Sequence, residues 1–408
     1  LAKEGFAIDE SYRRMAGFRL EALRRSPAAA ATFLTNNDIP PVGHIIKQPD
    51  LANTLEVIAN RGADGFYQGL VAKRLVDGMA DAGGIWTLED LKNYRLVERS
   101  PIRGEFNGIQ VTSAAPPSSG GIVLMTMLNI LANYDLKTVP EITRKHLLIE
   151  AMRRAYRDRA EYLGDADYVK IPIRRLISPD YAAGLAASIR PDRATPSDTL
   201  PGVSGHTAGK DTTHFSILDE EGNRVAATMS INYPFGACFV PPGTGVLVND
   251  EMDDFSSKPG TPNVYGLVGA EANAIVPGKR PLSSMTPTFL ENDKGIAILG
   301  TPGGSRIITM LLLATLDFNH DKKPNEWVSL PRIHHQYLPD HIQYEPDALR
   351  PEEIKALQAL GHSLEALESS YGNMQAILWD KLNRQVFTAS DPRGIGSAST
   401  QPTTQSGK

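Results

Sequence analysis

Lys210-Asp211-Thr212-Thr213-His214-Phe215-Ser216 stands where the chain changes character. Upstream, residues 191–210 are rich in Pro, Ser, Thr, Gly and Asp, a linker-like composition expected to be mobile. Downstream, Phe215 and Ile217, then Val225, Ala227, Met229 and Ile231, alternate with smaller or polar residues. That period of two predicts two strands. Asp219-Glu220-Glu221-Gly222-Asn223 between them predicts a turn, with Gly222 free to take a positive φ. A turn centred on Glu221 sets Thr212 opposite Ser230, and alternation puts Asn232 on the face of Ser230. A slip of one residue would turn these groups away from Thr212.

Slack chain running into a rigid strand suits a cleavage point, and we expect the cut between Asp211 and Thr212. Thr212 then becomes a new N-terminus. A threonine hydroxyl is a weak nucleophile, but a free α-amino group on the same residue serves as its base. That amine titrates near pH 8, so much of it is neutral and able to accept a proton. From propensity alone, Thr-Thr before a strand reads as ordinary β-former usage rather than as a nucleophile.

The segment from Thr212 to Arg306 resembles the small subunit of the γ-glutamyltransferases (γ-glutamyl transpeptidases), which are self-cleaving N-terminal-nucleophile hydrolases. The matching pieces are Asp211-Thr212-Thr213-His214-Phe215-Ser216, Asn249-Asp250-Glu251-Met252-Asp253-Asp254-Phe255, Pro262-Asn263-Val264-Tyr265-Gly266-Leu267, Lys279-Arg280-Pro281-Leu282-Ser283-Ser284-Met285 and Pro302-Gly303-Gly304-Ser305-Arg306. Order and spacing agree throughout. The resemblance implies a four-layer αββα sandwich of α+β class. Residues 1–211 would be the end of a large subunit, with linker 191–211, and 212–408 the small subunit, the two building one domain.

The resemblance also implies roles. Thr212 would be the nucleophile, Ser230 its hydrogen-bonding neighbour (more often Thr in the family), and Gly303 and Gly304 the oxyanion donors. Asn232, Glu251 and Asp254 would bind the α-amino group of a γ-glutamyl donor, and Ser283 and Ser284 its α-carboxylate. Tyr265 would tip a lid over the site. Donors would be glutathione and similar compounds, and the acceptor water, an amino acid or a peptide. No cofactor or metal is implied, and the partners are the two subunits of one precursor in the periplasm or outside the cell. A β-lactam acylase of the same superfamily and a non-catalytic, unprocessed homologue are the alternatives.

Residue by residue, bland readings stand beside these. Asn249–Asp254 gathers acids as a Ca²⁺ loop does, but lacks the EF-hand glycine and final glutamate, so carboxylates that hold an ammonium are favoured. Thr301-Pro302-Gly303-Gly304-Ser305 joins a strand to a helix like a phosphate loop without its Gly-Lys-Ser/Thr ending, and its N–H groups suit an oxyanion. Paired serines such as Ser283-Ser284 ordinarily face solvent or turns. Pro116-Pro117-Ser118-Ser119-Gly120-Gly121 is either an anion site at a helix start or a tight strand-to-helix turn, and we take it as site wall. Residues 256–281, with several Pro and Gly and no periodicity, read as a loop that is either functional or disordered, and the resemblance implies the lid.

The remaining chain predicts scaffold. Helices are expected over 8–26, from Pro49-Asp50 (Asp50 as N-cap) to Gly62, over 64–82, after Thr87, over 122–133, over 142–163, over 306–318 and over 352–360. Strands are expected near 96–104, 108–113, 288–290, 296–299, 363–367, 374–379 and 385–389. Arg153, Arg154, Arg157 and Arg159 read as a solvated or ion-paired face among Glu150, Asp158 and Glu161. His334, His335 and His341 match no closed zinc spacing, and His214 reads as a packed strand residue.

The 408 residues carry a formal charge of −5, which argues against a phosphate-tracking nucleic-acid binder. Apolar content of 41% and charged content of 22% describe an ordinary globular composition. No apolar run reaches the roughly 18 residues of a membrane span. Cys238 is the single cysteine, so no intrachain disulfide forms. The chain opens on Leu1 in mid-pattern, and an upstream portion is expected, carrying the family's arginine for the donor carboxylate.

Overall fold

The computed structural model describes residues 1–200, 212–256, 258 and 269–402. Asp211 and Tyr265, and with them the cleavage bond and the lid tip, lie outside the described residues. The chain divides into two compact units, Leu1–Glu98 with Ile231–Glu251, and Arg99–Ser230 with Met252–Lys408. The second unit draws on both sides of Thr212, so the expected subunit boundary is not a packing boundary.

In the first unit, helix α1 (Glu10–Arg25) starts at Asp9, whose carboxylate accepts from the Tyr12 N–H at 2.8 Å. Helix α2 (Pro49–Arg61) is capped at Gln48, not Asp50; Pro49 takes the first helical position and Asp50 its first turn. The helix expected over 64–82 is two, Ala63–Tyr67 and α3 (Gly69–Asp81), because Gln68 between them is extended and Gly69 then takes φ 69°. Thr87 closes a capping box with Asp90 as anticipated. Ile8, Leu23, Phe33 and Ile46 form a core with the buried Cys238 and Val240.

The second unit is built on strands β1 (Ile102–Phe106), β2 (Ile109–Ser113), then helices α4 (Gly120–Leu131) and α5 (Glu141–Tyr162). Strands β3 (Thr213–Leu218), β4 (Arg224–Met229), β5 (Thr288–Glu291) and β6 (Gly295–Gly300) follow, then helix α6 (Ile307–Asn319) and strands β7 (Gln375–Asp380) and β8 (Gln385–Ser390). Six strands form one antiparallel sheet in the order β8-β7-β6-β5-β2-β1. Helices α4 and α6, apolar on every side, pack on this sheet and on each other, and α5 covers α4.

Hairpin β3–β4 is a separate two-stranded sheet lying on β6 and β7. Its Leu218 and Ala226 meet Ile296, Ile298, Ile377 and Trp379. Helices, a six-stranded sheet and a second β layer thus follow in order, an α+β architecture with two facing β layers. The hairpin turns its apolar set outward: Phe215, Ile217, Val225 and Met229 are 40%, 50%, 44% and 56% exposed. Its polar set, His214, Ser216 and Thr228, faces the sheet. At that face a Cβ on Gly300 would stand 2.2 Å from the His214 ring, so β6 has glycine where the ring lies.

Candidate active site

Pairing in the hairpin runs from Thr213 with Met229 to Leu218 with Arg224, the register expected from a turn centred on Glu221. Thr212 and Ser230 therefore oppose one another just beyond the last pair, and their hydroxyl oxygens are 3.4 Å apart. By alternation both belong to the face that carries His214. Desolvation pushes the His214 imidazole down to about 4. Its ring nitrogens lie 2.8 Å from Thr228 Oγ1 and 3.1 Å from Ser216 Oγ, so it is a packed strand residue with no nitrogen turned to Thr212.

Alternation does not extend to Asn232. Strand β4 stops at Met229, and Asn232 has φ 68°, a left-handed backbone that asparagine tolerates. The period-two argument for a face shared with Ser230 therefore fails at this residue. Asn232 is buried in the first unit, where its Nδ2 donates to the Asp250 carbonyl at 3.1 Å. Glu251 and Asp254 occupy one 3-10 turn, Glu251–Asp254, in which the Glu251 N–H donates to Asn249 Oδ1 at 3.0 Å.

Strand β6 runs past Gly300 into Thr301, Pro302, Gly303 and Gly304. Gly303 has φ 144° and Gly304 φ 57°, so both need a residue without a Cβ, and one on Gly303 would meet Met310 Cε at 2.6 Å. Among the described residues neither Gly303 nor Gly304 N–H has a protein acceptor. The turn is held behind: Tyr156 of α5 donates to the Ser305 carbonyl, Ser305 Oγ to Gln336 at 2.6 Å, and Arg306 to Gln343 at 2.8 Å. Two rigidly held, unspent N–H groups suit a developing oxyanion.

Ser284 is buried and Ser283 half-buried. Ser283 is bridged to Ser118: its N–H donates to Pro117 O and its carbonyl accepts from the Ser119 N–H, each at 2.8 Å. A Cβ on Gly120 would strike Thr286 Oγ1 at 2.2 Å, which explains the small residues there. The Pro116–Gly121 run is thus a strand-to-helix turn laced to the serine pair. Asn273, 4% exposed, joins this cradle to the acidic turn; its Nδ2 donates to Asp254 O at 2.7 Å and its Oδ1 accepts the Leu282 N–H at 3.0 Å.

Sequence reasoning missed Arg159. It is 4% exposed, and its Nε donates to Ser119 Oγ at 2.9 Å and its Nη2 to Ser284 Oγ at 3.0 Å. Burial lowers its pKa, opposed by the charges of Tyr156 and Asp254. The signal was available, since Arg159 stands four residues from both Ala155 and Leu163 on the apolar stripe of α5.

In the rest of the basic run the ion-paired reading holds: Arg153 and Arg154 are buried, and the half-buried Arg157 pairs with Asp158 at 2.9 Å. Glu150, fully buried, takes Arg154 Nη1 at 2.5 Å and Arg153 Nε at 3.3 Å, and Arg153 also pairs with Asp340. Burial would raise the Glu150 carboxyl, but Arg153, Thr195 and Arg154 hold it below its ordinary value. Glu150 accepts the Thr195 N–H at 3.1 Å and Asp340 the Ser197 N–H at 2.7 Å, so the start of the expected linker is bonded in place through Ser197.

Beside this network, His146, Glu150 and His362 are close enough to hold a metal ion. Their atoms are otherwise engaged. His146 Nε2 lies 2.8 Å from Arg190 O and so carries the proton, leaving Nδ1 to accept from His362 Nε2 at 2.8 Å. His362 Nδ1 in turn faces Arg153 Nη2 at 3.4 Å. His335 is buried, 3.2 Å from Asp340, in a structural place and not a surface one.

A family model described as Gamma-glutamyltranspeptidase matches residues 1–401. The chain is 44% identical over 367 residues to a glutathione hydrolase proenzyme of Pseudomonas sp. (strain A14), covering 88% of this chain and 64% of the relative. Against the glutathione hydrolase proenzyme of Escherichia coli (strain K12) identity is 40% over 401 residues, 97% of this chain and 69% of that one. The chain spans about two thirds of the length of these curated relatives. A solved cephalosporin acylase from Bacillus halodurans superposes with a TM-score of 0.84 over 98% of this chain and 72% of its own, at 23% identity, a likeness of fold.

Proposed function

The chain belongs to the gamma-glutamyltranspeptidase family, and on that premise we propose that the full-length protein is a self-cleaving γ-glutamyl transferase and hydrolase with Thr212 as nucleophile. The observation that carries this is the Thr212–Ser230 hydroxyl pair at 3.4 Å on the end of β3–β4, in the register that the sequence specifies. In the intact chain the Thr212 nitrogen is a peptide nitrogen and no base. Attack of Thr212 Oγ1 on the Asp211 carbonyl, with N-to-O acyl shift and hydrolysis of the resulting ester, releases the amine. The residues before the cut and residues 212–408 then remain parts of one fold.

In the mature protein the Thr212 amine takes the hydroxyl proton as Oγ1 bonds to the γ-glutamyl carbonyl carbon. The oxyanion is met by Gly303 and Gly304 N–H, and Ser230 supports the Thr212 oxygen. Collapse breaks the amide C–N bond, and the proton passes to the leaving amine. Water, or the amine of an amino acid or peptide, then attacks the ester and restores Thr212. Ser283 and Ser284 hold the donor α-carboxylate; Asn232, Glu251 and Asp254 hold its α-amino group, and Tyr265 covers it. The proposed donor is glutathione or a similar γ-glutamyl compound. No described helix is long and apolar enough to cross a membrane. On family membership alone, we place the protein in the periplasm or outside the cell.

The test is anilide release by the full-length protein from γ-glutamyl-p-nitroanilide and from glutaryl-p-nitroanilide, which lacks the α-amino group. The expected result is turnover of the first, accelerated by a dipeptide, and none by Thr212→Ala. Preference for the glutaryl compound would support an acylase instead, and inertness to both a non-catalytic homologue.

A further inference from the structure

A hydroxyl bonded to a donor-only group must send its own proton elsewhere. Guanidinium is such a group, and Arg159 Nη2 donates to Ser284 Oγ at 3.0 Å. Ser284 is 8% exposed, and among the described residues its hydroxyl has no acceptor. Ser283 is set the same way, because its Oγ accepts the Met285 N–H at 3.0 Å. Ser119, the other partner of Arg159, has its hydroxyl spent on Ser283 O at 2.7 Å. Arg159 therefore leaves one proton aimed outward, that of Ser284.

Charge points the same way. Arg159 is buried, and among the described residues no carboxylate stands within ion-pair distance of it. Its neighbours Arg153, Arg154 and Arg157 all have one. Asp254 acts on Arg159 electrostatically but makes no ion pair with it, and an anion arriving at Ser284 lowers the cost of burying the cation. The remaining N–H groups of Arg159 find no protein acceptor among the described residues.

We propose that Arg159 is a positioning residue of the donor site, which fixes the Ser284 hydroxyl as hydrogen-bond donor to the substrate's α-carboxylate and supplies positive charge behind it. This rests on the γ-glutamyl reading of the site. It does not touch the scissile bond, so it acts on binding of the carboxylate and not on the chemistry at Thr212.

The experiment compares full-length wild type, Arg159→Met, Arg159→Lys and Ser284→Ala on γ-glutamyl-p-nitroanilide and on 4-aminobutyryl-p-nitroanilide, which lacks only the α-carboxylate. Arg159→Met should raise KM for the γ-glutamyl donor by roughly 10- to 100-fold, with kcat within about 3-fold. Wild-type preference for the carboxylated donor should shrink by the same factor. Arg159→Lys should fall between, because an ammonium cannot reproduce the two-hydroxyl fork. Adding Ser284→Ala to Arg159→Met should cost little more than either change alone. An unchanged preference between the donors in Arg159→Lys or Arg159→Met would overturn the proposal, as would equal losses of kcat on both. A wild type inert to both donors would overturn the γ-glutamyl reading beneath it, and this proposal with it.

Discussion

Thr212 Oγ1 and Ser230 Oγ face each other at 3.4 Å across the open end of a hairpin whose strands pair in the register set by its turn. A contact of that length between neutral hydroxyls is worth about 0.5–1.5 kcal/mol. Ser230→Ala should therefore lower kcat by roughly 2- to 10-fold with KM near wild type, and Ser230→Thr should retain activity. Steady-state kinetics on a γ-glutamyl anilide would show it. A large rise in KM with unchanged kcat would place Ser230 in binding instead.

His214 lies on Gly300, and a Cβ there would stand 2.2 Å from its ring. Gly300→Ala should lift β3 from β6, costing about 1–3 kcal/mol as overpacking does. The expected signs are a lower melting temperature and slower processing on a denaturing gel. Adding His214→Ala should restore part of both. No recovery in the double variant would mean that the ring is not what the methyl group strikes.

Acid should destabilise the fold before carboxylates titrate. Burial holds His214 and His335 down to about 4 and His362 to about 3, against an ordinary 6.5. Below pH 6.5 the unfolded chain takes up protons that the folded chain refuses. Stability is then full above 6.5 and falls as pH drops through 4 toward 3. The urea midpoint should decline over that window, and His362→Asn should flatten the decline. A midpoint constant from pH 7 to 4 would contradict these buried neutral imidazoles.

Glu150 balances Arg153 and Arg154 where all three are buried. Glu150→Ala leaves two cations short of an anion and should cost about 3–5 kcal/mol. Denaturant unfolding would measure the loss, and hydrogen exchange should show the Thr195 amide freed. A loss under ~1 kcal/mol would mean that Asp340 alone suffices.

Local signals carried much of this architecture, and long-range partners hid the rest. The β3–β4 register was legible because the turn is centred on Glu221, with Gly222 beside it, and the alternation is unbroken up to Met229. It misled at Asn232 because one left-handed residue ends an extended chain without any mark in the pattern. The arginines of α5 read as a solvated or ion-paired face with no choice between the two, because Asp340 and His362, which help to bury Arg153, stand far away in sequence. From Thr195 to Ser197 the slack expected after Pro191 is replaced by bonds to Glu150 and Asp340, for the same reason. The exposed faces of Phe215 and Ile217 show the converse, an apolar stripe that predicts a strand correctly yet not which side lies on β6.

The central claim is that Thr212 becomes an N-terminus and then the nucleophile. Intact mass and N-terminal sequencing of the purified full-length protein, beside Thr212→Ala, test it most directly. Two fragments, one beginning Thr212-Thr213-His214, with a single chain in the variant, are the predicted result. A folded wild type that stays one chain would contradict the account.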